Sequence, residues 1–315
     1  MTRIEWVIGA TGQLGTAISR AAAADGAVLL SRPVRWADAE ASAHDLRAGI
    51  TALLADPHDS YHVYWAAGAS VTSATSDAAA RELEVFSGFV SDLASAIRDD
   101  PRALSVSFFF ASSAGGVYSG SPSPAPFTEE STARSITPYG DSKLAMEAAL
   151  GGLAHAGAHV LVGRISTLYG PDQRISKPQG FISHLCRSYI SRTPLSVYVP
   201  LDTMRDYIHS DDAAAIARRG LLLVSHLPSQ HPVVIKNIGS LAPSTLGNVL
   251  AQAALVFKRR PSVILATSAL STGQVRDLRI ASVTLPELDE MPRRQLLVGL
   301  AETRAALEHQ LWSIR

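Results

Sequence analysis

Tyr139 and Lys143 stand four residues apart in Pro138-Tyr139-Gly140-Asp141-Ser142-Lys143, a spacing that stacks a phenol and an ammonium on one face of a helix. Such a pair can move protons. A free tyrosine ionises near a pKa of about 10, and a fixed cation beside it stabilises the phenolate and brings that value down. The same spacing also occurs as a solvated pair on exposed helices, so the elements around it must decide.

The first of those elements lies at the start of the chain. Ile4-Glu5-Trp6-Val7-Ile8 reads as a short buried strand that runs into Gly9-Ala10-Thr11-Gly12-Gln13-Leu14-Gly15 and then into an alanine-rich helix from about Thr16 to Ala24. Glycines there permit a tight turn and close approach of backbone to a pyrophosphate, whose charge suits the positive helix N-terminus. Gly9, Thr11, Gly12, Gln13, Leu14 and Gly15 are the candidate dinucleotide cradle. The spacing is G-x-x-G-x-x-G rather than the G-x-G-x-x-G of the dehydrogenase fingerprint, and the alternative is a plain tight turn.

Further landmarks follow in order: Ala66-Ala67-Gly68 after a strand, Ser112-Ser113 before Gly116-Val117-Tyr118, Leu168-Tyr169-Gly170-Pro171, and Arg205-Asp206-Tyr207-Ile208-His209-Ser210-Asp211-Asp212. With the two motifs above, they make the chain resemble the extended short-chain dehydrogenase/reductase superfamily, in particular its nucleotide-sugar epimerases, dehydratases and reductases. The resemblance spans nearly the whole chain. It implies an NAD(P)-dependent enzyme in which a tyrosine exchanges a proton with a sugar hydroxyl while a nicotinamide carbon accepts or donates hydride. Tyr139 matches that tyrosine, and Lys143 matches the lysine that hydrogen-bonds the nicotinamide ribose.

The third member of the family's site is a serine or threonine that stabilises charge on the reacting oxygen. The position four before Tyr118, where epimerases and dehydratases carry it, holds Ala114. Ser113 is the favoured replacement, with Ser112 beside the cofactor; the alternative is that both serines bond only local backbone. Gly115 and Gly116 stand where the 4,6-dehydratases carry an aspartate and a glutamate, so epimerisation or ketone reduction is expected rather than water elimination.

The segment Leu29-Leu30-Ser31-Arg32-Pro33-Val34-Arg35 has no carboxylate to hold an adenosine ribose. Ser31, Arg32 and Arg35 suit a 2'-phosphate instead, so NADP(H) is preferred over NAD(H), unless the arginines merely solvate a loop. Asp45 and Leu46 are expected to border the adenine, and Ala66, Ala67 and Gly68 to let the backbone approach the cofactor. For substrate, Arg205 matches an arginine that grips a nucleotide diphosphate, Thr167 stands where many relatives have asparagine, and Ser113 and Tyr139 face the sugar. Asp211-Asp212 reads as a helix cap, and no histidine has metal-ligand spacing, so no metal is expected.

With 315 residues, 47% hydrophobic and 18% charged, the chain can bury a sizeable core. Equal numbers of basic and acidic residues, 28 each, give no basic field for nucleic acid or membrane. The single cysteine, Cys186, excludes an internal disulfide framework. No signal region or membrane span is read, so a cytoplasmic location is expected.

Strands near 4-8, 27-31, 62-66, 105-111 and 159-165 alternate with helices near 13-24, 47-55, 77-98 and 138-155. This predicts an α/β fold, a Rossmann-like doubly wound parallel sheet with a smaller α/β substrate lobe at the C-terminal side. The Rossmann domain is expected over 1-165, with 205-237 returning to it, and the lobe over 166-204 and 238-315. A homodimer through helices 77-98 and 138-155 stays open, because Leu83, Phe86, Val90, Leu93 and Ile97 fit core packing equally well. Two other functions also stay open: a ketoreductase of a non-sugar carbonyl, which Arg205 opposes, and a nonenzymatic NADP(H)-binding regulator, which Ala114 favours and the Tyr139/Lys143 pair opposes.

Overall fold

The computed structural model describes residues 2–68, 75–102, 104–173, 180–228, 233–266 and 275–312. The first half is a strict alternation: β1 (Arg3–Ile8), α1 (Gln13–Ala24), β2 (Val28–Leu30), α2 (Ala39–Leu53), β3 (Ser60–Trp65), α3 (Ser76–Asp99), β4 (Val106–Ser113), α4 (Ala114–Val117), α5 (Pro138–Ala149), α6 (Gly151–His155) and β5 (His159–Ile165). It is followed by β6 (Thr167–Tyr169), α7 (Phe181–Ser191), β7 (Leu195–Val197), β8 (Met204–Arg205), β9 (Tyr207–His209), α8 (Ser210–Val224) and β10 (Val234–Ile238). The last elements are β11 (Ser244–Thr245), α9 (Leu246–Phe257), β12 (Val263–Leu265), β13 (Asp277–Leu278), a 3-10 turn at Pro286–Leu288 and α10 (Leu296–Trp312).

Six strands form one parallel sheet in the order β2-β1-β3-β4-β5-β10, a Rossmann-like doubly wound arrangement. Strands β1, β3, β4 and β5 are almost continuously buried runs, the pattern of a parallel sheet covered on both faces. On one face Trp6, Trp65, Phe86, Phe89, Phe108 and Phe110 pack with Leu93 of α3 and Met146 of α5. On the other, Leu14 and Ile18 of α1 meet Ala213 and Ile216 of α8 above Tyr64 and Phe109. Because α1 and α3 leave on opposite faces from neighbouring strands β1 and β3, a crevice opens at the carboxyl ends of those two strands, where α/β sheets bind ligands.

A separate core joins α7, α9 and α10 through Leu185, Cys186, Tyr189, Val249, Leu300 and Leu307. Small sheets accompany it: β11-β8-β13, β12-β7 and β6-β9. The C-terminal part also returns to the large sheet. Leu288 packs under α8, and the fully buried ammonium of Lys236 on β10 lies 2.8 Å from Asp289.

Most boundaries fall within two residues of the sequence expectation, and two elements differ by more. Helix α2 begins eight residues before position 47, because Asp38 accepts a hydrogen bond from the Ala41 amide at 2.6 Å and caps a polar first turn with no apolar period to reveal it. The stretch 138-155 is two helices, α5 and α6, divided around Leu150. Helix α8 is capped by the His209 side chain, while Asp211 and Asp212 occupy its first turn and pair with Arg294. In α3, Phe86, Val90, Leu93 and Ile97 all point into the core beneath the sheet.

Candidate active site

The glycine loop closes on itself at the carboxyl end of β1. Gly9 has φ +91°, and a Cβ there would sit 2.6 Å from the Ala67 nitrogen, while one on Gly15 would sit 2.1 Å from the Gly9 carbonyl oxygen. Neither position accepts a side chain. Helix α1 then begins just after Gly12, whose position at the cap offers no side-chain acceptor to the leading amides, so those amides remain to meet an anion. The side chains around it differ: Leu14 is buried in the core, Gln13 donates to the Gly170 carbonyl at 3.3 Å, and Thr11 is exposed.

Contacts run from this loop to the dyad. Ala67 touches Gly9, and a Cβ on the next residue, Gly68, would lie 3.8 Å from Lys143 Nζ. Helix α5 starts at Pro138, with Thr137 accepting from the Gly140 amide at 3.1 Å, and this cap sets the first turn that carries Tyr139. Tyr139 and Lys143 are both buried. The ammonium lies 5.8 Å from the centre of the Tyr139 ring and 5.2 Å from that of Phe110, and it donates to Glu82 Oε1 at 3.1 Å.

Gly116 and Gly140 explain how the tyrosine reaches its position. A Cβ on Gly116 would meet Tyr139 Cε1 at 3.0 Å, and one on Gly140 would stand 2.4 Å from the Gly116 carbonyl oxygen. Backbone therefore packs on backbone, with the phenol ring laid against α4.

The two serines part company. Strand alternation turns Ser112 and Ser113 to opposite faces. Ser112 Oγ donates to Glu147 Oε1 at 2.5 Å, inside a buried network in which Arg164 grips Glu147 through Nε (3.1 Å) and Nη2 (2.7 Å) and reaches the Tyr118 hydroxyl at 2.9 Å. Its hydroxyl proton is thus committed to Glu147 beneath α5. Ser113 Oγ accepts from the Gly116 amide at 3.2 Å. Its own proton is left to donate. Ala114 is buried against Val117, Tyr118 and Phe127.

At the end of β2, Ser31 and Arg32 lie on exposed loop. Arg35 is engaged by Asp45, with Nε 2.8 Å and Nη2 2.6 Å from its carboxylate oxygens. That guanidinium holds the Asp45 carboxyl well below the usual carboxylate range, at about 2. Asp45 and Leu46 sit inside α2, and Leu46 is buried in the core. Neither is free to border an adenine: a helical register of 3.6 residues turns Leu46 inward, and the carboxylate beside it is taken by Arg35.

Arg205 on β8 donates Nη1 to the carbonyls of Met204 at 2.7 Å and Arg276 at 3.4 Å. Burial pulls its guanidinium below its ordinary value, and no carboxylate lies within ion-pair distance of it among the described residues. Leu278, its partner in the β13–β8 register, would touch a Cβ on Gly115 at 3.9 Å, so Arg205 lies on the α4 side of the site. Thr167 is half-buried on β6, and its amide donates to the Asp206 carbonyl at 3.0 Å. Among the described residues, no group of three histidine, cysteine, aspartate or glutamate side chains could hold a metal, and no helix is long and apolar enough to cross a membrane.

Two participants had escaped notice in the sequence, Glu82 and Glu147. Glu147 follows Lys143 by one helical turn and had a spacing signal; Glu82, 61 residues from its partner, had none.

Solved structures of the same architecture cover almost all of the chain. MoeE5 in complex with UDP-glucuronic acid and NAD aligns over 98% of this chain and all of its own, with 20% identity and a TM-score of 0.75. UDP-glucose 4-epimerase of Thermotoga maritima, with UDP-glucose, aligns over 99% and 100% at 18% identity and a TM-score of 0.79. RMD from Pseudomonas aeruginosa, complexed with NADPH, aligns over 98% and 100% at 21% identity and a TM-score of 0.75. These likenesses concern the fold. A comparison with curated proteins finds no match. The sequence itself matches the NAD dependent epimerase/dehydratase family over residues 6–235, from the first strand to the last strand of the large sheet, and the chain belongs to that family.

Proposed function

We propose that this protein is an NAD(P)-dependent oxidoreductase or epimerase that acts on a nucleotide-activated sugar, with residues 1-165 and 205-237 holding the cofactor and 166-204 and 238-315 shaping the sugar site. The observation that carries this reading is the burial of Tyr139 and Lys143 on one face of α5, with Lys143 beside Gly68, the residue that follows the contact between Gly9 and Ala67. The side-chain-free cradle of Gly9, Gly12 and Gly15 at an uncapped helix start fits a dinucleotide pyrophosphate.

When bound, the nicotinamide supplies a carbon that accepts or releases hydride. Tyr139 exchanges the proton of the reacting hydroxyl, and Lys143 steadies its phenolate and reaches the ribose. Ser113 donates its remaining proton to the reacting oxygen. Arg205, half-buried and bonded among the described residues to two backbone carbonyls, offers a guanidinium to a diphosphate. A cation with no carboxylate at ion-pair distance among the described residues favours a nucleotide sugar over an apolar ketone.

The NADP(H) preference rests on Ser31 and Arg32, since Arg35 is neutralised by Asp45. Both cofactors occur among the similar structures, NAD in MoeE5 and NADPH in RMD. Fluorescence titration is expected to give tighter binding of NADPH than NADH, and the reverse order refutes the preference. Tyr139→Phe is expected to retain NADPH binding and lose turnover of UDP-glucose and related nucleotide sugars; full activity in that variant refutes the assignment. NADPH binding without turnover of any nucleotide sugar or ketone by the native chain would favour a nonenzymatic regulator.

A further inference from the structure

Lys143 does not face the crevice alone. Glu82, on the second turn of α3, brings Oε1 to 3.1 Å from Lys143 Nζ, and the two side chains are only 13% and 5% exposed. Gly68 shapes the same corner: a Cβ there would stand 3.4 Å from Glu82 Oε1 and 3.8 Å from Lys143 Nζ. The backbone after β3 thus lies close to both the carboxylate and the ammonium.

Resting on the reading of Tyr139 as the proton shuttle, we propose that Glu82 is a positioning residue that anchors the Lys143 ammonium and offsets its charge at Tyr139, so setting how readily the phenol gives up its proton. The two effects are separable. As an anchor, Glu82 holds a four-carbon side chain in one place near the Tyr139 ring. As a charge, it opposes the field by which the ammonium favours the phenolate.

Among the described residues, the other charged groups on the elements around the pair are turned elsewhere. On α5, the Glu147 carboxylate is gripped by Arg164, and Asp141 is exposed. On α3, Arg81 is exposed and turns to the Asp77 carbonyl. Strand β4 contributes the Phe110 ring, and the segment after β3 contributes Ala66, Ala67 and Gly68, none of which titrates. Glu82 Oε1 is 3.1 Å from an ammonium that lies 5.8 Å from the Tyr139 ring centre, and a unit charge at roughly 9–12 Å with an effective dielectric constant of about 20 shifts a titration by about one pH unit or a little more.

The test reads the phenol directly in the cofactor-free protein, by 13C NMR of chains labelled at tyrosine Cζ, with the Tyr139 resonance identified by its loss in Tyr139→Phe. Glu82→Gln is expected to move the Tyr139 midpoint to lower pH by about one unit, the effect of removing one nearby negative charge. Glu82→Asp, which keeps the charge, is expected to restore it to within a few tenths of a unit, a rescue that loss of packing alone would not produce. An unmoved midpoint in Glu82→Gln overturns the proposal. Should that variant not fold, Lys143→Gln compared with Glu82→Gln/Lys143→Gln reads the same field without an unpaired buried ammonium, and equal midpoints in those two chains overturn it as well. Turnover of UDP-glucose by Tyr139→Phe is the separate result that removes the shuttle reading, whatever the midpoints show.

Discussion

Glu147→Ala is the perturbation whose consequence the structure specifies most fully. The Glu147 carboxylate accepts from Ser112 Oγ at 2.5 Å and from Arg164 Nε and Nη2 at 3.1 and 2.7 Å, and the paired side chains are 8% and 5% exposed. An exposed ion pair is worth about 0–1 kcal/mol, but removing one partner of a buried pair costs about 3–5 kcal/mol, because the other charge stays desolvated. Burial works against the Arg164 guanidinium, and the Glu147 carboxylate more than offsets it, holding it above its ordinary range. Alanine would strand that guanidinium, leaving it the Tyr118 hydroxyl among the described residues.

The expected loss is therefore about 3–5 kcal/mol in urea unfolding at 25 °C, and roughly 5–10 °C in Tm at about 1.5–2 °C per kcal/mol for a chain of this size. Replacing both partners, as in Glu147→Gln/Arg164→Met, is expected to cost less than the sum of the single changes by at least about 1 kcal/mol. Turnover should fall with stability, since Glu147 stands one turn beyond Lys143 on the helix that positions Tyr139. A loss below about 1 kcal/mol in the single variant, with an unchanged urea slope, would refute the view that this pair is a buried clamp.

Other outcomes follow from the same contacts. Gly9→Ala forces a left-handed φ on a residue with a Cβ and drives that atom to 2.6 Å from the Ala67 nitrogen, so NADPH affinity is expected to fall at least ~10-fold in a fluorescence titration; undiminished binding would exclude this loop as the cradle. Burial pushes the His62 imidazole down to about 4. As pH falls from about 6.5 the unfolded chain binds a proton that the folded one refuses, so stability declines between about pH 6.5 and 4, by roughly 3 kcal/mol from this group. Urea melts across that range should be flatter for His62→Gln; an identical pH slope would contradict this.

Much of the fold was legible because its signals are local. Buried strands of Val, Ile, Phe and Trp, the glycine loop at the end of β1 and the turn of α5 with Tyr139 and Lys143 each fall within a few residues of one another, where periodicity and backbone freedom act. The beginning of α2 was hidden, because a side-chain cap on a polar turn leaves no apolar rhythm.

The residues of the candidate site divide in the same way. Sequence alone determined that a phenol and an ammonium share a helical face and that glycines line the first strand-to-helix turn. Only the tertiary structure decided that Ser112 is consumed by Glu147 while Ser113 keeps a proton to donate, that Arg35 is spent on Asp45, that Leu46 belongs to the core, and that Lys143 is held by Glu82. Each of these depends on which face of a strand or helix meets another element. Glu82 and Lys143 lie 61 residues apart, so no local spacing encodes their meeting; it exists only once α3 and α5 pack side by side on the same face of the sheet.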